Sequence, residues 1–282
     1  MDANATPADR NHRSALAGVV LAAGAGRRLM PLSALMPKAL CPVGNRALVD
    51  LSLDRLVPIV DELFVNAHHH GALVADHLDR VWQGRVRVSI EPDLALGTAG
   101  GIAHMRDWID GRSIVVLNAD AWSPDSLAPL VAGWDGTTVR VMVNGTGGFG
   151  PTAQIVASTL PWSIVERLAD RPTGLYETVW RQAHVAGELE VTSHEGTCID
   201  CGTPADYLRA NRIAVDLHGG SIIDEQAEVD AGATVSGSVI GAGARIRGVV
   251  VDSVVWPGQV VERGERLIRS IRAGTSVTVG PL

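Results

Sequence analysis

The stretch Leu21 to Leu40, LAAGAGRRLMPLSALMPKAL, concentrates residue types suited to holding a polyphosphate. Gly24 and Gly26 lack a Cβ, so their backbone amides can approach phosphate oxygens closely. Arg27 and Arg28 follow, and Lys38 stands further on in a Pro-Lys turn. Lys38 is the single lysine among 24 basic residues. A chain that uses arginine wherever arginine will serve keeps lysine where a broad planar fork does not fit. A tight phosphate site suits a compact charge on a slim stem. Two other phosphate loops are excluded. A dinucleotide fingerprint needs a third glycine where Leu29 stands, and a P-loop needs a G-K-[ST] that never occurs.

Leu16 to Ala23 is short and nearly all apolar, and it reads as a buried parallel strand feeding the glycine loop. Further strands are expected over Glu62–Asn66, Val86–Glu91, Ser113–Asn118 and Thr138–Val143. Helical stretches alternate with them over Ala47–Pro58, Ala72–Gln83, Thr98–Ile109 and Pro124–Trp134. This alternation predicts an α/β, doubly wound and mainly parallel sheet, with ligands outside the carboxyl ends of its strands. From about Ser221 the texture changes to aliphatic residues mostly six apart: Ile223, Val229, Val235; Ile240, Ile246; Val249, Val255, Val261, Leu267; Ile271, Val277. That pattern predicts a short left-handed β-helix of about three coils. Coils so few need a further surface to pack on, the large domain or a second copy in a homo-oligomer. The expected boundaries are a flexible tail over 1–14, the α/β domain over 15–216 and the hexapeptide domain over 217–282.

Composition narrows the function classes. The chain has 282 residues, 46% of them hydrophobic, enough for a full core. Its net charge of −7 argues against a nucleic-acid surface. The opening Met1–Arg13 lacks the apolar stretch of a signal peptide, and no run approaches a membrane span. Three cysteines without framework spacing suit a reducing, cytoplasmic setting. Cys198 and Cys201 form one C-x-x-C with no second pair for zinc, and read as small buried residues. His68, His69 and His70 point different ways on a turning segment and read as a solvated loop.

The opening stretch resembles the LAGGxGTRLxPLTxxxPKxLxPV signature of the sugar-1-phosphate nucleotidylyltransferases, running here from Leu21 to Val43. Three more motifs follow in that family's order. They are Glu91-Pro92 with Leu96-Gly97-Thr98-Ala99-Gly100, then Asn118-Ala119-Asp120, then Ile199-Asp200-Cys201-Gly202-Thr203-Pro204. The resemblance implies that Ala22, Ala23, Gly24, Gly26 and Arg27 lie along the nucleotide. Arg28 would hold the triphosphate and Lys38 would bridge the phosphates of the two substrates. Glu91, Gly97, Thr98 and Asn118 would border the nucleoside, and Asp120 and Asp200 would bind Mg²⁺.

In the implied reaction a sugar 1-phosphate oxygen attacks the α-phosphorus of a nucleoside triphosphate and pyrophosphate leaves. Such transfers rest on positioning and electrostatics. The base loop looks most like that of guanylyltransferases acting on mannose 1-phosphate. UTP, dTTP or ATP with glucose or cyclitol phosphates stays open, as does a catalytically silent regulatory relative. Three departures stand out. Arg27 replaces a small hydroxyl residue, the family's second lysine has no counterpart, and Thr152-Ala153-Gln154 stands where Asn-Ala-Gly is expected. The sugar half of the pocket is abbreviated.

Overall fold

A computed structural model describes residues 16–91, 94–274 and 277–279. The expected tail over 1–14 and Pro92 lie outside the described residues. The chain forms two compact units. One takes the chain through Gly24 and Val49–Cys198, the other Ala25–Leu48 and Ile199–Leu282.

The first unit is built on seven strands: β1 (Leu16–Leu21), β2 (Glu62–Ala67), β3 (Val86–Ile90), β4 (Ser113–Asn118), β5 (Val139–Asn144), β6 (Ile155–Leu160) and β7 (Leu189–His194). Their order is β7-β5-β6-β4-β1-β2-β3. Only β6 runs against its neighbours β4 and β5. The other pairings are parallel. Every residue of β1 is buried, as expected of a central strand covered on both faces. Helices α1 (Leu48–Leu56), α2 (Gly71–Trp82) and α3 (Gly97–His104) fill the crossovers. One face of the core joins Phe64, Ile102, Met105, Ile109 and Leu160.

Two expected helices are shorter than the sequence suggests. Thr98–Ile109 breaks at the buried Met105 (φ −96°, ψ 3°), which leaves a separate turn over Arg106–Ile109. Pro124–Trp134 reduces to one turn, Ala128–Val131. Ahead of it Ser123 Oγ accepts from Asp125 N, the local bond by which serine and aspartate compete with helix.

The second unit carries α4 (Pro204–His218) and the β-helix. Thr203 caps α4: its Oγ1 accepts from Asp206 N at 3.2 Å, with Pro204 at the first helical position. Beyond Gly219 the chain winds into three parallel columns of short strands, the short left-handed β-helix anticipated from the hexads. Ile240, Ile246, Val255, Val261 and Leu267 fill its interior. The hexad reading is corrected at several positions: Ile223 and Val229 on the first coil are exposed, Val277 lies on a strand antiparallel to Ile271–Ala273, and the third run begins one residue later. Val250, not Val249, points inward, because Val250 pairs with Val235 below and Leu267 above. Tyr207 of α4 donates its hydroxyl to Pro42 O and accepts from Trp256 Nε1 at 2.9 Å. Asn45 Nδ2 donates to Ile240 O at 2.8 Å. The segment Ala25–Leu48, α4 and the coils thus share one core, and the compact unit crosses the expected boundary between 216 and 217.

Candidate active site

In the first unit, β1, β2 and β4 end side by side, and their ends and following residues, with the loop after β3, line one cavity. The cavity measures about 290 Å³ and is bordered by Ala23, Gly24, Asn66, Gly97, Thr98, Asn118 and Asp120. It lies outside the strands' carboxyl ends, where doubly wound sheets bind ligands. Two glycines of the Leu96–Gly100 segment have structural reasons. Gly97 adopts φ +70°, and a Cβ there would come within 2.6 Å of Thr173 O. At Gly100 a Cβ would meet Arg171 O at 2.2 Å. The Leu96–Gly100 loop is seated against Arg171–Leu175: Thr173 N donates to Leu96 O, Ala99 N to Thr173 O, and Leu175 N to the side-chain Oγ1 of Thr98. That seat was not legible in the sequence, since nothing in RPTGL marks it.

The second unit holds the charges. Gly26 adopts φ +62° and opens a single turn over Arg27–Leu29. A Cβ on Gly26 would lie 3.1 Å from both Lys38 Cβ and Ser33 Cβ, and Ser33 Oγ donates to Gly26 O at 2.8 Å. This close approach folds the loop back so that Arg28 and Lys38 converge on one carboxylate. Arg28 Nη2 reaches Asp200 Oδ2 at 3.0 Å, and Lys38 Nζ reaches Asp200 Oδ1 at 3.3 Å. Lys38 is only 8% exposed, so the lone lysine does occupy a narrow place. Gly202 leaves room for the pair, since a Cβ there would sit 2.8 Å from Arg28 Nη2. Beneath Lys38, burial pushes the Cys41 thiol up to about 12, with the ammonium pulling the other way, so Cys41 stays a neutral packing residue. Cys198 and Cys201 are buried too, each within its own unit.

Two of the expected nucleotide contacts face elsewhere. Glu91 is 1% exposed, and its carboxylate accepts from Asn66 Nδ2 and Leu96 N, both at 2.7 Å. Ala22 N donates to Asn66 Oδ1 at 2.9 Å. Arg27 is exposed to solvent. Asp120 lies at the cavity wall and Asp200 in the cation cluster. Among the described residues no three His, Cys, Asp or Glu side chains gather to hold a metal by themselves. The histidines at 68–70 sit in the turn after β2, with His68 Nδ1 against Glu91 O.

A family model described as nucleotidyl transferase matches residues 17–145. The N-acetylmuramate α-1-phosphate uridylyltransferase of Caulobacter vibrioides is 31% identical over 227 residues, 68% of this chain and 94% of that one. Mannose-1-phosphate guanylyltransferase 1 of Arabidopsis thaliana is 23% identical over 296 residues, 89% of this chain and 79% of the relative. A solved structure from Bacillus anthracis, a candidate glucose-1-phosphate thymidylyltransferase with sucrose, shares the fold. Its TM-score is 0.59 at 18% identity, covering 71% of this chain and 95% of the other. With a glycine-lined cavity outside the strand ends and the signature segment's lysine and arginine gathered on Asp200, the chain belongs to the sugar-1-phosphate nucleotidylyltransferases, enzymes that transfer a nucleotidyl group to a sugar 1-phosphate.

Proposed function

We propose that the protein condenses GTP with mannose 1-phosphate or a closely similar hexose 1-phosphate, giving the nucleoside-diphosphate sugar and pyrophosphate. The observation that carries this reading is the ion cluster of Lys38 and Arg28 on Asp200, since cations gathered on a shared carboxylate can exchange it for phosphate oxygens. The base and ribose are assigned to the cavity of Gly24, Gly97, Thr98 and Asn118. Arg28, 70% exposed at its side chain, is free to swing towards a triphosphate and stabilise charge as pyrophosphate departs. Lys38, held in its narrow site, fixes a positive charge for the attacking phosphate, which lowers the repulsion between two anions.

Asp120 and Asp200 are the carboxylates assigned to a divalent cation. Two carboxylates rather than a closed protein cage fit Mg²⁺, which takes its remaining ligands from phosphate and water. Bound there, the ion would supply charge neutralisation at the phosphates.

The guanine preference rests on the Leu96-Gly97-Thr98-Ala99-Gly100 loop and on the guanylyltransferase relative, whose match extends over most of this chain, the C-terminal region included. A second reading, UTP with an N-acetylhexosamine-type 1-phosphate, is favoured by the 31% identity to the uridylyltransferase. We also propose that copies of the chain associate through the β-helix and that the enzyme works in the cytoplasm. Among the described residues no helix is long and apolar enough to cross a membrane. Pyrophosphate release with four triphosphates against mannose, glucose and N-acetylated sugar 1-phosphates decides the substrates. Turnover with no pair at all would leave the silent regulatory reading.

A further inference from the structure

We infer that Asn66 and Glu91 are positioning residues for nucleotide selection, forming a buried relay that ties the glycine turn after β1 to the base loop before α3. The inference rests on the nucleotidyl-transfer reading and deepens it. Along the relay, Ala22 N donates to Asn66 Oδ1 at 2.9 Å, Asn66 Nδ2 donates to Glu91 Oε1 at 2.7 Å, and Leu96 N donates to Glu91 Oε2 at 2.7 Å. Asn66 and Glu91 are each 1% exposed. Both amide atoms of Asn66 and both oxygens of Glu91 are engaged.

The relay spans the floor of the cavity. Ala22 precedes Ala23 and Gly24 on one side of it, Leu96 precedes Gly97 and Thr98 on the other, and Asn66 itself lines it. The spacing between these walls is therefore governed by two side chains whose polar atoms are all engaged, with the main-chain bond from Ala22 N to Asn66 O beside them. Helix α3 is shaped to admit them, since a Cβ on Gly101 would fall 2.4 Å from Asn66 Nδ2 and 2.7 Å from Glu91 Oε1. A glycine in a helix interior otherwise carries a conformational cost, so this one marks the close approach. The loop's other side is clamped by Thr173 main chain, which leaves the relay as the element that decides how far Gly97 stands from Gly24. It follows that Glu91 acts on the nucleobase through Leu96 and Gly97, and that the base edge meets the main chain of the loop rather than the Glu91 carboxylate.

The donor and acceptor pattern provides a specific test. Glu91→Gln sets an amide NH₂ against either Asn66 Nδ2 or Leu96 N, donor against donor. Asn66→Asp sets two carboxylates together. The double variant Asn66→Asp/Glu91→Gln restores every bond with the polarity of the middle one reversed and the net charge unchanged. Steady-state pyrophosphate release, run over both substrates, should show each single variant raising the triphosphate KM about tenfold or more. The sugar-phosphate KM should move less than about twofold. The best-to-second-best triphosphate ratio should shrink in each single variant and recover in the double one. Thermal unfolding run alongside separates folding from positioning.

Single variants that lower Tm yet keep the triphosphate KM and base preference would overturn the inference, as would a double variant no better than the singles. If a single variant does not fold, Gly101→Ala, which crowds the same pair, is read by the same KM split. An unsubstituted protein without turnover would sink the enzymatic reading instead. The relay would then be judged by titrating GTP and UTP against the same variants.

Discussion

At the residue scale the sharpest expectation concerns Lys38. Its side chain is 8% exposed and its charge faces Asp200, so neither removal nor enlargement is tolerated. Lys38→Met should lower kcat by about 10²–10³, the usual cost of losing one preorganised charged donor. Lys38→Arg should recover little of it, because the planar fork does not enter a place sized for an ammonium. Pyrophosphate release measures both. A second expectation concerns His194, 7% exposed beside Asp125 and Arg55. Burial lowers its pKa below the usual 6.5, the Asp125 carboxylate opposes this, and the Arg55 guanidinium adds to it. The folded state therefore resists the proton that the unfolded chain accepts. Stability should hold above pH 6.5 and fall as the pH drops below it towards the folded-state value. Unfolding midpoints from pH 7.5 to 5.5 should show the slope, and His194→Asn should flatten it. Most of the site's residue types were legible in the sequence, because phosphate chemistry restricts them to glycine, arginine, lysine and aspartate. The inward turn of Glu91 was not, since a carboxylate's direction depends on what else is buried with it.

The elements show which periodicities carry information. β1 and β4 were readable from unbroken apolar runs, and their carboxyl ends deliver Gly24 and Asn118 to one cavity. β6 and β7, the helical turns over Tyr176–Ala186 and the clamp at Arg171–Leu175 were not anticipated. Their sequences are mixed, and they are held by partners distant in the chain. In the β-helix a ladder of serines stacks at one corner. Ser253 N donates to Ser238 Oγ and Ser270 N to Ser253 Oγ, both at 3.0 Å, and each of these hydroxyls donates to the carbonyl two residues back. Ser253 is 1% exposed, so Ser253→Ala should strand Ser270 N, while Val251 O keeps its bond from Arg269 N. The expected loss is about 1–3 kcal/mol, measured by denaturant unfolding.

For the whole molecule, the organisation into two compact units places the C-terminal coils in the same unit as the signature segment Ala25–Leu48. Trp256 bonds to Tyr207, Tyr207 to Pro42, and Asn45 to Ile240. Truncation after Gly220 should therefore lower activity as well as any association, by loosening the segment that carries Arg28 and Lys38. Turnover and sedimentation of the truncated chain distinguish the two effects. If association alone is lost and turnover is kept, the coils serve only as an interface. The sequence alone determined the alternating α/β plan, the hexad coils, the family motifs and the identity of the charged groups, since all of these are written in local periodicity and residue type. Only the tertiary structure decided that Asp200 receives both cations, that Val250 rather than Val249 points inward, and that the Glu91 carboxylate turns inward to accept from Leu96 N. Those outcomes depend on strand register and on which donors are buried together, quantities set by contacts between segments far apart in the chain.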